Sequence, residues 1–201
     1  TIQAREIFDS RGLPTIEATL WLDNGQAVTT AVPSGTSIGK YESLELRDGD
    51  PNRVMGKGVL KAVENINQII APSLAGKNPI GQTELDQLLV DLDGTPNKSK
   101  LGANAILACS QAITKAGAMA VNLPIYQYLQ QKYQLATSLQ IPNCLYGIVN
   151  GGKHGASNLD IQEFMLIPAT HIDFPTSMLI ASTFQHRLEE VLITKGAIHS
   201  V

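Results

Sequence analysis

Alternating apolar and polar positions predict a small antiparallel sheet at the start of the chain. In residues 15–22 every second residue is apolar, and these residues share one face of a strand: Ile16, Ala18, Leu20 and Leu22. A turn sequence, Asp23-Asn24-Gly25, then precedes a second run over residues 26–32, and this order is typical of a β-hairpin. With residues 4–8 as a third strand, we expect a three-stranded antiparallel meander.

Apolar spacing typical of helices follows the meander. One helix is predicted by an apolar stripe that consists of Val59, Val63, Ile66 and Ile70. We expect Pro72 to end this helix, and Thr83 to cap a second one that ends at Gly94. Alanine and glycine dominate residues 101–121, which predicts a central helix that its neighbours approach closely. A short helix is expected over residues 125–132.

The pattern changes again near residue 130. Two short apolar runs, 145–150 and 161–168, end at glycine and at proline and predict strands of a larger sheet. A final helix is expected to be capped by Asp173 or Thr176 and to end at Lys195-Gly196. The elements therefore predict an α+β protein with two domains, residues 1–130 and residues 131–201.

Composition and charge exclude several classes of function. The formal net charge is −3, and the lysines and arginines are scattered, so no basic patch for nucleic acid or an anionic membrane is expected. No run approaches the roughly 18 apolar residues of a spanning helix, and the first residues do not resemble a signal peptide. Cys109 and Cys144 lie in apolar company without metal-ligand spacing, which predicts buried small hydrophobic residues in a reducing cytosol. We expect a cytoplasmic protein.

A glycine- and hydroxyl-rich loop over residues 32–50 is the first candidate for chemistry. Backbone amides freed by Gly35 and Gly39, beside Ser34, Thr36 and Ser37, could hold a phosphate or a metal-bound oxyanion. Taken alone the signal is weak, because most loops of this composition are turns without a ligand.

A second candidate is the glycine-rich turn that separates His154 from Glu163. Glu163 lies in an apolar run, where a carboxylate is costly unless it faces a cavity, a partner or a metal, and such a group can transfer protons. The alternative is an ion pair with an arginine or lysine across the sheet. For His154 the alternative to anion binding is an ordinary surface histidine.

Other charged residues favour structural interpretations. Arg11, and the neighbours Arg47 and Asp48, are interpreted as turn-stabilising ion pairs. Four acidic residues of the predicted helix that ends at Gly94 are expected to form a solvated face, namely Glu84, Asp86, Asp91 and Asp93.

Taken together, four segments resemble enolase along essentially the whole chain. They are AREIFDSRGLPTIEA, VPSGTSIGKYESLELRDGD, LDGTPNKSKLGANAILACS and NGGKHGASNLDIQEFMLIP, and they occur in the family's order. The resemblance implies an enolase-like N-terminal domain, a meander followed by a helical bundle, and then the start of an incomplete α/β barrel. It also implies dehydration of 2-phosphoglycerate to phosphoenolpyruvate with two magnesium ions, and a homodimer.

The resemblance assigns roles residue by residue. Ser37 corresponds to a serine that ligates the second magnesium, and His154 to a loop histidine near the phosphate. Gln162 and Glu163 correspond to a pair that lines the substrate site, with Glu163 near the departing hydroxyl. Gly35 and Gly39 correspond to the hinges of the loop, and Gly35 is also assigned to substrate binding.

The resemblance also implies that the site needs more polypeptide. The acid glutamate, the main magnesium ligands and the lysine base of the family lie in segments without a counterpart in this sequence, and a closed barrel takes about 250 residues. We therefore expect these 201 residues alone to be inactive. Two alternatives remain: a natural short enolase-like protein that serves as a binding or structural subunit, and one half of a split enolase completed by a complementary barrel segment.

Overall fold

The computed structural model describes residues 1–35, 39–135, 138–152 and 159–196. The chain divides into two compact units, Thr1–Thr137 and Ser138–Val201. The first unit corresponds to the sheet and helices predicted before residue 130, and the second to the strands and helix predicted after it.

The first unit begins with the predicted three-stranded meander, which is confirmed. Strand β1 (Ile2–Phe8) pairs antiparallel with β2 (Pro14–Trp21), and β2 pairs antiparallel with β3 (Ala27–Ala31). The side chains of Ile16 and Ala18 are fully buried, as their shared face predicted. This face packs against the helices that follow.

Helices complete the first unit. They are α1 (Leu60–Asn65), a π-helical segment (Ile66–Ile70), α2 (Ala71–Leu74), α3 (Gln82–Asp93), α4 (Ala103–Ala120) and α5 (Ile125–Tyr133), and a 3₁₀ turn (Val54–Gly56) precedes them. The small residues of α4 allow close packing on β2 and β3, and many of them are fully buried, among them Ala105, Ala108 and Ala112. The predicted central helix is confirmed.

Two of the predicted helix boundaries are wrong. Helical structure continues through Pro72 to Leu74. In the π-helical turn the Ala71 N–H donates to the Ile66 carbonyl, so Pro72 lies in the first turn of the next helix. Proline is tolerated there because this position needs no backbone N–H donor. Thr83 is not a cap, since α3 begins one residue earlier with Gly81 at the cap position. The end at Gly94 is confirmed, and its φ of 68° is a conformation that glycine adopts easily.

The prediction of a solvated acidic face on α3 is wrong for Asp93. This residue is buried, with 2% of its surface exposed, at the point where the chain turns from α3 toward α4. Its carboxylate accepts hydrogen bonds from the Leu101 N–H at 2.7 Å, the Thr95 N–H at 2.9 Å and the Thr95 hydroxyl. Asp93 therefore joins the two helices, where the helical pattern alone suggested a surface position.

The second unit contains both strands predicted after residue 130. Strand β4 (Tyr146–Asn150) and strand β5 (Glu163–Leu166) pair antiparallel, and α6 (Phe174–Thr194) follows. Asp173 caps α6, because its side chain accepts a hydrogen bond from the Thr176 N–H at 2.9 Å. Of the two caps predicted for this helix, Asp173 is therefore the correct one. No closed barrel is present in the described part of this unit. None of the helices in the described ranges is long and apolar enough to cross a membrane.

Apolar side chains remain exposed on the elements of the second unit. Leu179 and Ile193 of α6 expose 70% and 62% of their surface, and Phe164 and Met165 of β5 expose nearly half. An apolar surface of this extent is typical of an interface or of a core that further polypeptide covers.

Candidate functional site

The glycine-rich turn after β4 holds the candidate residues Gln162 and Glu163 in place. The Gly151 N–H donates to the Gln162 carbonyl at 2.7 Å, and the Gly152 N–H donates to the Leu159 carbonyl at 3.0 Å. A Cβ atom at Gly151 would lie 2.1 Å from the Ile161 carbonyl oxygen, so only glycine permits this approach. The two glycines therefore fix the backbone on which Glu163 is presented.

Glu163 lies at the first position of β5, opposite Asn150. Its side chain is exposed, and it has no hydrogen-bond or ion-pair partner within the described ranges. The alternative of an ion pair across the sheet is therefore not found in that part of the chain. Glu163 therefore presents an exposed carboxyl group at the start of β5.

The glycine- and hydroxyl-rich loop contributes Gly35, which follows β3 and is exposed. Gly35 belongs to the first unit, whereas Gln162 and Glu163 belong to the second. The predicted metal ligand Ser37 and the predicted anion-binding residue His154 lie outside the described residues.

A polar cluster at the β1–β2 turn contacts the loop directly before Gly35. Asp9 accepts from the Arg11 N–H and the Leu13 N–H, both at 2.9 Å, and from the Ser34 hydroxyl at 2.9 Å. Arg11 donates to the Ser34 carbonyl at 2.9 Å and forms an ion pair with Asp9 at 3.0 Å. The Leu13 hydrogen bond, together with those from Ser34 and Arg11, holds the pKa of Asp9 well below its usual range.

The other end of the loop is also bound to the fold. The Asn104 side chain accepts from the Leu46 N–H and donates to the Leu46 carbonyl, both at 3.1 Å.

Arg47 donates to the carbonyls of Pro14, at 2.7 Å, and Lys57, at 2.6 Å, and pairs with Glu45. Asp48 accepts from the N–H groups of the first two residues of α1. The structural interpretation is therefore confirmed for Arg11, which pairs with Asp9. Arg47 and Asp48 are also structural, but their ion-pair partners are Glu45 and Arg53 and not each other.

The cysteines carry no chemistry at this site. Burial raises the pKa of the Cys109 thiol to about 12, so it stays protonated and unreactive at neutral pH. The predicted burial is confirmed for Cys109 and is wrong for Cys144, which is partly exposed because it lies in the irregular segment before β4; both cysteines are free.

The described residues do not fit a metal centre. Within these ranges no group of three or more His, Cys, Asp or Glu side chains could hold an ion. Helix α3 carries several acidic residues, but Asp93 is occupied by backbone and hydroxyl donors. The described part of the chain therefore does not form a magnesium site by itself.

Two residues that position the loop were not predicted from the sequence, Asp9 and Asn104, and Ser34 was predicted only as a possible oxyanion-binding residue. The link from Asp9 to Ser34 and the link from Leu46 to Asn104 each join residues far apart in the chain. No pattern of residue spacing in the sequence predicts either link. The Asp9–Ser34 hydrogen bond requires the sheet to form, and the Leu46–Asn104 hydrogen bond requires α4 to pack beside the loop. The DSRG turn sequence alone could have drawn attention to Asp9.

Two family models match the chain, one after the other. A model described as the enolase N-terminal domain matches residues 1–129. A model described as the enolase C-terminal TIM barrel domain matches residues 138–200.

Proposed function

The chain belongs to the enolase family, and from this premise we propose that it forms the amino-terminal domain and the first barrel segments of an enolase that dehydrates 2-phosphoglycerate to phosphoenolpyruvate. The observation that carries the proposal is the order of the two matches, which places an N-terminal domain directly before the start of a barrel. We also propose that the chain consists of two domains, residues 1–130 and residues 131–201.

Within this proposal the residues of this chain provide binding and proton transfer. Glu163, presented at the start of β5, lies near the hydroxyl that departs, where its carboxyl group orients or relays the proton that the family's acid glutamate, outside these residues, delivers. Gln162 and Gly35 contact the substrate, and His154 binds its phosphate. A proton donor at the departing oxygen lowers the barrier because hydroxide itself is a poor leaving group.

Magnesium binding is proposed from membership of the enolase family alone. Two divalent ions, when bound, stabilise the negative charge that develops beside the substrate carboxylate after proton removal. Ser37 is the one proposed ligand in this chain. The remaining ligands and the lysine base would come from polypeptide beyond these residues.

The exposed apolar surface of the second unit favours further polypeptide over a stand-alone subunit. A natural short protein would be expected to carry charges in the apolar runs of its strands, yet residues 145–150 and 164–168 contain no charged residue. Instead, Phe164, Met165 and Leu179 are exposed. We propose that the rest of a barrel in the same chain covers them, and that the complete protein is a cytoplasmic homodimer; completion by a complementary segment is the alternative that the native mass distinguishes.

An activity assay tests the proposed function. The 201-residue chain alone is expected to form no phosphoenolpyruvate from 2-phosphoglycerate, because it lacks the base and the main ligands. The native protein that contains these residues is expected to catalyse the reaction and to lose activity when a chelator removes divalent ions. Turnover by the isolated chain, or a native protein inactive with magnesium present, would contradict the proposal.

A further inference from the structure

Ser34 is held by two side chains from the β1–β2 turn. Its hydroxyl donates to the Asp9 carboxylate at 2.9 Å, and Arg11 donates both to its carbonyl at 2.9 Å and to its hydroxyl at 2.8 Å. Arg11 and Asp9 are also paired with each other, so the three residues form a closed polar triangle, which we call the Ser34 clamp.

The clamp exceeds what the β1–β2 turn requires. The turn is already closed by the Leu13 and Arg11 N–H groups, which donate to Asp9, and by the backbone bond from Asp9 to Leu13. The bonds from Arg11 to Ser34 add nothing to that turn. They reach across the chain to the residue directly before Gly35.

The loop has a second boundary at Leu44. The Leu44 N–H donates to the Asn97 carbonyl at 2.7 Å, and its carbonyl accepts from the Ala103 N–H at 2.8 Å. Asn104 then holds Leu46 on both sides of its backbone. From Leu44 onward the chain is therefore bound to the start of α4.

The described residues between the two boundaries are bound much less. Residues 35 and 39–43 make one hydrogen bond within the described ranges, from the Glu42 N–H to the Gly39 carbonyl at 3.3 Å. Tyr41 is 92% exposed. Backbone with few bonds and high exposure opens locally at low cost.

We propose that Asp9 and Arg11 are positioning residues for Gly35, because they hold the residue directly before it against the β1–β2 turn. The purpose of the clamp rests on the proposed function, which places Gly35 at the substrate. Without the clamp the nearest hydrogen bonds that hold this backbone to the sheet are at Val32, whose N–H donates to the Ile16 carbonyl at 2.9 Å, and Gly35 loses its fixed position relative to the sheet.

Limited proteolysis of the 201-residue chain tests the clamp. Trypsin must draw out the residues on both sides of Lys40 before it can cleave there, so the boundaries limit the rate. With Arg11→Gln we expect cleavage after Lys40 to become about tenfold faster, while cleavage after Lys77, in the turn between α2 and α3, stays unchanged. The matched control is Arg5→Gln, which removes an exposed arginine that pairs with Glu17 and is expected to leave both rates unchanged.

A second pair of variants protects the test against a general loss of stability. Ser34→Ala removes only the hydroxyl and is expected to accelerate cleavage after Lys40 by about threefold, and Ser34→Thr, which keeps the hydroxyl, is expected to restore the original rate. Unchanged cleavage after Lys40 in Arg11→Gln and Ser34→Ala, or equal acceleration after Lys40 and Lys77, would overturn the proposal. Since the readout needs no substrate, its failure is distinguishable from failure of the enolase assay.

Discussion

Replacing Glu163 with glutamine in the complete enzyme is expected to lower kcat by roughly a thousandfold and to change KM little. Glutamine has almost the same shape and keeps the hydrogen-bonding capacity of the strand end, but it cannot transfer a proton. The backbone at this position is fixed by the Gly151 and Gly152 bonds, so the substitution leaves the presentation of the side chain unchanged. The measurement is steady-state formation of phosphoenolpyruvate from 2-phosphoglycerate.

A matched control for this substitution is Glu64→Gln. Glu64 is an exposed glutamate of α1 that the proposed function does not use, and its replacement is expected to leave kcat and KM within experimental error. If Glu163→Gln retains full kcat, or if it raises KM alone, Glu163 does not act in proton transfer. In the second case it would be a binding residue only.

Replacing Asp93 with alanine is expected to lower the free energy of unfolding by about 3 kcal/mol. The substitution leaves the buried N–H of Leu101 and the N–H and hydroxyl of Thr95 without their acceptor. The buried Leu101 N–H would then have no acceptor, the partly buried Thr95 donors would lose theirs, and the connection between α3 and α4 would loosen. The measurement is the midpoint of urea unfolding at constant slope.

The control for Asp93 is Asp91→Ala on the same helix. Asp91 is exposed and accepts one hydrogen bond, from Gln87, so its loss is expected to cost at most about 0.5 kcal/mol. Equal effects of the two substitutions would contradict the role assigned to Asp93.

Acid unfolding provides an independent readout of Asp93. Burial raises the pKa of Asp93, but the hydrogen bonds from Leu101 and Thr95 lower it more, so that the net pKa lies below the ordinary value. A carboxyl group with a lowered pKa in the folded state contributes stability above its unfolded pKa and loses it as the pH falls through the folded one. Asp93→Asn is therefore expected to flatten the decline in stability below about pH 4.

The fold could be predicted from the sequence where local pattern and tertiary packing agree. The alternation of residues 15–22, the turn at Gly25 and the small residues of α4 each specify a local structure that packing then preserves. The enolase resemblance came from four sequence segments, and the family matches support it.

The sequence could not show features that depend on long-range contacts. The continuation of the helix through Pro72 depends on the π-helical turn before it. The burial of Asp93 depends on the position of Leu101, whose N–H donates to the Asp93 carboxylate. The Ser34 clamp joins the β1–β2 turn to a residue that follows β3. For the candidate site, the sequence identified Gln162 and Glu163, whereas the glycine contacts that hold them became apparent only from the pairing of β4 with β5.

The intact mass of the native polypeptide tests most directly whether these residues are the amino-terminal part of a longer enolase. The account predicts a mass well above 21.6 kDa, since a closed barrel takes about 250 residues and this chain matches the barrel only over residues 138–200. A native mass of 21.6 kDa would contradict it and would favour a short subunit or one half of a split enzyme.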